Sequence, residues 1–254
     1  MSFVTALDEM ELIAQRRHKR ILRRGDEAVK LFEPEIPAAD VLSEALNQVR
    51  ARDAGLPVPW LSEVTKLGGK WAILSEFMEG DTLAQAMAAQ PERLDEWLEL
   101  FIALQLRVHA ARSPELNPLR EKLHRRISAS GLDATTRYEL HVRLDAMPRH
   151  EKICHMDFIP SNIMLIEGGE PAIIDWSHVT QGNASADAAN TYLSFLRQGE
   201  EETGQAYLKL YCEMSDTAKQ YLSKWLPIVA AMQLSICAKE HEAFYRSWCE
   251  DVVD

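Results

Sequence analysis

Asp157, Asn162 and Asp175 are the residues whose types and spacing could do chemistry, and each stands at the edge of an apolar run within residues 153–176. Ile163 to Ile166 and Ala172 to Ile174 read as two short strands joined by a turn at Gly168-Gly169. Asn162 then precedes one strand and Asp175 follows the other, so a hairpin sets them side by side. Asp157 lies on the loop leading in. Two carboxylates and an amide oxygen are therefore expected to converge on one small volume. Hard oxygen donors of this kind hold magnesium, and a separate Asp can accept a hydroxyl proton. The set suits phosphoryl transfer. Singly, His155, Asp157 and Asn162 could each merely cap a turn, but turn chemistry does not require a polar group at each outer end of one hairpin.

His155-x-Asp157-x-x-x-x-Asn162, followed by a hairpin and Ile174-Asp175-Trp176, resembles the catalytic core of the aminoglycoside phosphotransferase and choline kinase group, which shares the protein-kinase-like fold. That group typically reads His-Gly-Asp-x-x-x-x-Asn, then Ile-Asp-Trp or Ile-Asp-Phe. Here Met156 stands where Gly is usual. Residues 181–187 are similar to the group's Gly-x-x-x-x-Asp segment. The resemblance implies Asp157 as catalytic base and Asn162 and Asp175 as magnesium ligands. His155 and Asp187 are implied as structural supports of the catalytic loop.

The elements that must position these groups begin with three short strands, Glu11 to Arg16, Lys19 to Arg23 and Glu27 to Phe32. The third carries Lys30 among apolar residues. Alone, Lys30 reads as a solvent-facing residue of an edge strand; beside the core motif it reads as the Lys that contacts nucleotide phosphates. No Gly-rich loop joins the first two strands. The basic stretch Gln15-Arg16-Arg17-His18-Lys19 stands there, either attracting phosphate through side chains or forming a solvated turn. Residues 38–54 read as a helix with Val41, Leu42, Ala45, Leu46 and Val49 in its apolar stripe, ended by Gly55 and Pro57. Glu44 lies beside that stripe, and the resemblance makes it the partner of Lys30. A second hairpin spans Glu63 to Phe77. The resemblance makes 75–80 a hinge whose backbone binds the purine edge, with Glu76 and Met78 as the contact positions and Gly80 permitting the turn.

The expected fold is α+β: a two-lobed protein-kinase-like fold with a small antiparallel-sheet N-lobe, 1–78, and a mainly helical C-lobe, 79–254. Helices are expected from Asp81 (as cap) to Ala89, from Leu94 to Ala111, and over 118–130, 133–146, 187–198, 201–213, 215–226 and 227–249, with Pro227 marking a break or kink. His109 matches the group's pattern loosely and reads as a packed core histidine. The aromatics Tyr192, Phe195, Tyr207, Tyr211, Trp225, Phe244, Tyr245 and Trp248 could cage a quaternary ammonium, but at helical spacing they read as core. Glu200-Glu201-Glu202 reads as a solvated helix start favoured by the dipole.

The 254 residues can build one large domain or a two-lobed unit. A net charge of −11 argues against a nucleic-acid partner. The longest apolar stretch, Leu226 to Ala238, is too short to span a bilayer, and the N-terminal residues lack the pattern of a signal peptide. Cys154, Cys212, Cys237 and Cys249 show no metal or disulfide spacing, which suits a reduced, cytoplasmic protein. The resulting expectation is an ATP- and Mg2+-dependent phosphotransferase acting on a hydroxyl of a small molecule. Within the same fold the acceptor could be an aminoglycoside, choline, ethanolamine, homoserine or a thiosugar, because the fold does not set the substrate. A non-catalytic nucleotide-binding pseudokinase is the rival from another class, motivated by Met156 and the missing Gly-rich loop. A metal-dependent phosphatase would need more clustered carboxylates or histidines.

Overall fold

A computed structural model describes residues 10–15 and 18–250. The N-terminal residues 1–9, and Arg16 and Arg17 of the basic stretch, lie outside the described residues. In chain order the elements are β1 (Glu11–Gln15), β2 (Lys19–Arg24), β3 (Glu27–Phe32), α1 (Ala38–Asp53), β4 (Leu61–Leu67), β5 (Lys70–Glu76), β6 (Asp81–Thr82), α2 (Leu83–Ala89), α3 (Leu94–Ala110), α4 (Leu119–Ser128) and α5 (Ala134–Ala146). They continue with β7 (Lys152–Cys154), β8 (Ile163–Leu165), β9 (Ala172–Ile173), β10 (Thr180–Gly182), α6 (Ala184–Arg197), α7 (Glu201–Ser215), α8 (Lys219–Ser223), α9 (Leu226–Leu234) and α10 (Glu242–Glu250). An antiparallel N-terminal sheet followed by mostly helical chain is the α+β, kinase-like arrangement that the sequence predicts.

The chain divides into two compact units, one of residues 1–86 with 161–178 and one of 87–160 with 179–254. This differs from the single cut near residue 78, because β6 pairs with β8, β8 pairs with β9, and the Ile173 N–H donates to the Pro57 carbonyl at 2.8 Å. The β8–β9 hairpin thus groups with the N-terminal sheet.

In the first unit the sheet order is β1-β2-β3-β5-β4, all antiparallel. The period-2 alternation of β3 sorts its residues. Val29 and Leu31 face one side with Leu22, Ala72 and Leu74, while Phe32 faces the other with Ile73 and with Val41 and Ala45 of α1. Lys30 shares the α1 side with Phe32. The apolar stripe of α1 is rotated from the expected one: Leu42 and Leu46 are 49% and 47% exposed, whereas Val41, Glu44, Ala45, Asn47 and Ala51 are buried. Packing chose the face that includes Glu44. The cap of α2 is Thr82, not Asp81, which is exposed and pairs with Leu165 in the small sheet. Thr82 Oγ1 accepts the Gln85 N–H at 3.2 Å and Gln85 Oε1 accepts the Thr82 N–H at 2.7 Å, a reciprocal capping box.

The second unit is built around α6, whose residues Ala184–Leu193 are all buried. Asn183 caps it, accepting the Ser185 N–H at 3.0 Å, so it begins three residues before the expected start. Phe101 of α3, Phe158, Phe195 of α6, and Tyr207 and Tyr211 of α7 form the buried aromatic core beside it. The two-stranded sheet β7–β10 lay unseen in the sequence because its strands are three residues each. The expected helix 227–249 is two, α9 and α10. Pro227 sits in the first turn of α9, where its missing N–H costs nothing, and the break falls after Leu234. Similarly, 215–226 shrinks to α8 because Asp216 takes a left-handed conformation at the end of α7.

Candidate active site

In the first unit, three side chains meet Asp175. Lys30 Nζ lies 3.0 Å from its Oδ1, Lys19 Nζ lies 2.8 Å from its Oδ2, and Ser177 Oγ donates to Oδ1 at 2.9 Å. Lys30 also donates to Glu44, itself buried on α1. The sequence named Lys30, Glu44 and Asp175, and the fold brings all three together. It placed Lys19 only within a basic stretch. The signal that could have singled Lys19 out is strand register: Lys19 pairs with Phe32 and Ile21 with Lys30, and directly paired residues share a face. Burial alone would raise the Asp175 carboxyl, but the Lys30 and Lys19 ammonium groups outweigh it and hold it well below the usual range. Burial also opposes the charge on Lys30, which Asp175 and Glu44 reverse, raising it above the ordinary value. Lys19 is lowered instead, by burial and by the neighbouring Lys30.

Asn162 and Asp175 flank the β8–β9 hairpin. Ile163 pairs with Ile173, and the Ile174 N–H donates to the Asn162 carbonyl at 2.9 Å, which sets the two polar residues at neighbouring strand ends. Asp175 has φ of +63°, turning its side chain away from the strand path. An amide oxygen and one carboxylate are a hard, two-residue donor set. No cluster of three His, Cys, Asp or Glu side chains fit to hold a metal occurs among the described residues. Magnesium fits such a set, because it keeps several waters and phosphate oxygens and needs few protein ligands. Gly80 supports the hairpin from behind: at φ +146°, a Cβ there would stand 1.9 Å from the Leu165 carbonyl oxygen.

At the expected hinge, the Glu76 N–H donates to the Trp60 carbonyl at 2.8 Å and the Phe77 N–H to Asp26 at 2.8 Å. The Glu76 carboxylate accepts the Trp60 N–H at 3.2 Å. Both the amide and the side chain of Glu76 thus hold neighbouring loops, leaving its carbonyl as the group that could meet a base. Met78 lies two residues on, between β5 and β6.

The second unit holds Asp157, half-buried on the loop after β7. The loop is tied from below. The Met156 N–H donates to Asp187 Oδ1 at 2.5 Å, Asn190 Nδ2 donates to the Met156 carbonyl at 2.9 Å, and Thr191 Oγ1 donates to the Phe158 carbonyl at 2.8 Å. His155 is fully buried, its ring edge-on to Phe158. His109, read from sequence as core, is buried with Nε2 2.9 Å from Asp187 Oδ2. Asp187, which the resemblance implies as a structural support, is therefore a hub, and its tie to His109 is what the motif alone could not reveal. Burial would raise its carboxyl, yet His109, the charge of His155 and the Met156 N–H hold it below the usual range.

Asp157 also lines a cavity of about 160 Å3 with Asn190, Ser194, Arg197, Gln233, Cys237, His241 and Tyr245. The aromatics are core, as their helical spacing predicts, and form no cage on this cavity among the described residues. Tyr192, Phe195, Tyr207, Tyr211 and Trp225 are buried core, and Tyr245, 5% exposed, is the one ring on the wall. Glu200–Glu202 are exposed at the start of α7, as read. All four cysteines are free, and no described helix is long and apolar enough to cross a membrane.

A kinase-like fold with a Lys–Glu pair in its sheet unit and an Asp157-bearing loop in its helical unit is that of a small-molecule phosphotransferase enzyme. The chain belongs to the phosphotransferase enzyme family, whose profile it matches over residues 11–222. Solved structures share the fold. A thermostable mutant of aminoglycoside phosphotransferase APH(4)-Ia, in ternary complex with AMP-PNP and hygromycin B, superposes with a TM-score of 0.71 at 15% identity, covering 96% of this chain and 93% of that one. Aminoglycoside-3'-phosphotransferase of type VIII gives 0.66 at 18% identity, covering 88% and 93%. Choline kinase LicA from Streptococcus pneumoniae gives 0.63 at 14% identity, covering 98% and 95%. Among curated proteins, none matches the chain by sequence.

Proposed function

We propose that the protein transfers the γ-phosphoryl group of ATP, with Mg2+, to a hydroxyl of a small molecule. The observation that carries this reading is the pairing of Lys30 with both Glu44 and Asp175, which holds an ammonium group beside the carboxylate of the motif. Glu44 fixes the Lys30 head so that it meets the phosphates without a search over rotamers. Lys19, on the same face, adds a second cation and so offers what the missing Gly-rich loop would otherwise supply through backbone N–H groups. Asn162 and Asp175 would hold Mg2+, which neutralises charge on the phosphate oxygens. The Glu76 carbonyl and the Met78 backbone are the positions for the purine edge. Asp157 orients the acceptor hydroxyl and takes its proton, and Asp187 with Asn190 keeps the loop in place while it does so. AMP-PNP in the APH(4)-Ia complex supports the choice of an adenine nucleotide.

The test is ADP release from ATP and Mg2+, with wild type and Asp157→Asn in parallel. Turnover with an acceptor should fall by about 10²–10⁴ in the variant, the range for loss of a general base, while ATP–Mg2+ still raises the melting temperature. Failure of ATP–Mg2+ to bind the wild type would sink the reading.

A further inference from the structure

The cavity beside Asp157 has a charge character of its own. Its single cationic side chain is Arg197, from the last turn of α6, and its single carboxylate is Asp157. Arg197 Nη1 lies 3.2 Å from His241 Nε2, and no described carboxylate pairs with the guanidinium. Two exposed acids lie near the wall but do not line it: Glu240 Oε1 is 3.6 Å from His241 Nε2, and the charge of Glu242 reaches the Cys237 thiol. Two amides on the wall are already engaged: Gln233 Nε2 donates to Asn190 Oδ1 at 2.6 Å, and Asn190 donates to Met156. With Asp157 the lining also carries Arg197, Ser194 and Tyr245; the guanidinium donates to His241 Nε2 and is hydrogen-bonded to Tyr245, which leaves its remaining N–H groups for a ligand.

That wall fits poorly with a cation. An amino sugar with several ammonium groups would meet a guanidinium where it needs carboxylates, and a quaternary ammonium would find one ring where it needs several. A planar guanidinium is suited to a carboxylate, which it can bind through two parallel N–H bonds. The 160 Å3 volume lies below the roughly 300 Å3 at which pockets for drug-sized ligands begin, so the part of an acceptor that the cavity itself holds is compact. A further cation lies behind the loop. Burial and the neighbouring Arg126 and Arg125 push Lys122 of α4 down to about 8, with the charges of Asp187 and Asp157 pulling the other way. Around Asp157 the cations Arg197 and Lys122 stand beside the acids Asp187 and, next to His241, Glu240, so what marks the cavity is the Arg197 guanidinium on its wall and not an excess of positive charge.

We propose that the phosphoryl acceptor is a small hydroxy acid, its carboxylate held by the Arg197 guanidinium and its hydroxyl presented to Asp157. The proposal rests on the phosphotransferase reading of Asp157. In the transfer the hydroxyl oxygen forms a bond to the γ-phosphorus, its proton passes to the Asp157 carboxylate, and the bond from the γ-phosphorus to the bridging oxygen breaks, its electron pair leaving with ADP.

The experiment measures ADP release and melting temperature for wild type, Arg197→Gln and Arg197→Lys. The acceptors are glycerate, 3-hydroxybutyrate and homoserine, set against glycerol, 1,3-butanediol, choline and kanamycin. At least one hydroxy acid should exceed every uncharged or cationic acceptor by tenfold or more in kcat/KM. Arg197→Gln should erase that preference mainly through KM, and Arg197→Lys should restore part of it, the unliganded melting temperatures reporting that both variants fold. Preference for an uncharged or cationic acceptor, or a preference that survives Arg197→Gln, overturns the proposal. So does the absence of any turnover or melting shift with the hydroxy acids while ATP–Mg2+ still stabilises the protein; the phosphotransferase reading then stands without it. If ATP–Mg2+ does not bind, both fall together.

Discussion

Asp187 accepts the main-chain N–H of Met156 at 2.5 Å, across 31 residues of sequence, and so suspends the loop that carries Asp157 from helix α6. Its other oxygen faces His109 Nε2, so one buried carboxylate joins α3, α6 and the loop. Removing one partner of a buried charged network leaves the others uncompensated, at about 3–5 kcal/mol. Asp187→Ala is therefore expected to lower stability in urea by that order and to reduce turnover although it touches no substrate. An unchanged urea midpoint would show that the loop is held by other bonds.

Met156 occupies the left-handed region, φ +62°, with its side chain 2% exposed. The conformation costs a side-chain-bearing residue about 1–2 kcal/mol, which is the physical reason a glycine suits this position. The buried thioether offsets that cost by its packing. Met156→Ala loses the packing and keeps the strain, whereas Met156→Gly loses the packing and relieves the strain. Thermal melts should therefore rank Gly above Ala, the reverse of the usual order. Ala above Gly would mean that the loop relaxes out of the left-handed region.

Asp175 controls an acid-sensitive contribution. Its carboxyl lies well below the usual range when folded. A depressed folded value adds stability that is fully present above the unfolded value of about 3.9 and is lost as pH falls through the folded value. Asp175→Asn leaves two buried ammonium groups with less compensation and should cost on the order of 3 kcal/mol near pH 7. The gap in melting temperature between wild type and variant should shrink as pH drops below about 4. A gap that stays constant to pH 2 would rule out this carboxylate as its source.

Gly80→Ala should be severe. The added Cβ would meet a main-chain oxygen at 1.9 Å, and β8 cannot move without carrying Asn162 with it. A loss of more than about 2 kcal/mol is expected, with ATP–Mg2+ stabilisation weakened more than in Gly25→Ala. At Gly25 a Cβ meets nothing within 4 Å, so only the cost of its φ of +60° remains. Equal effects at the two sites would show that the close approach at Leu165 is easily relieved.

Much of this molecule was legible in its sequence where contacts are local. The β8–β9 hairpin follows from two short apolar runs around Gly168-Gly169, and its polar ends follow from strand geometry. The N-terminal strands and α1 follow from periodicity. The failures share a cause. Leu42 and Leu46 lie on the exposed side of α1 because a helix with apolar residues on more than one face leaves its rotation to its neighbours. β7 and β10 are too short to show alternation, and the break between α9 and α10 carries no Gly or Pro signal.

By itself the sequence determined the order of the chemical groups, His155, Asp157, Asn162 and Asp175, and the hairpin that spaces the last two. Those relations span few residues, and backbone geometry allows few alternatives over such distances. Only the tertiary structure decided that Lys19 joins Lys30 on a carboxylate 156 residues away, that Asp187 bridges the Met156 N–H and His109, and that Arg197 lines the cavity beside Asp157. Such meetings depend on which faces of distant elements pack together. That is set by the summed burial of many side chains, and no spacing along the chain records it.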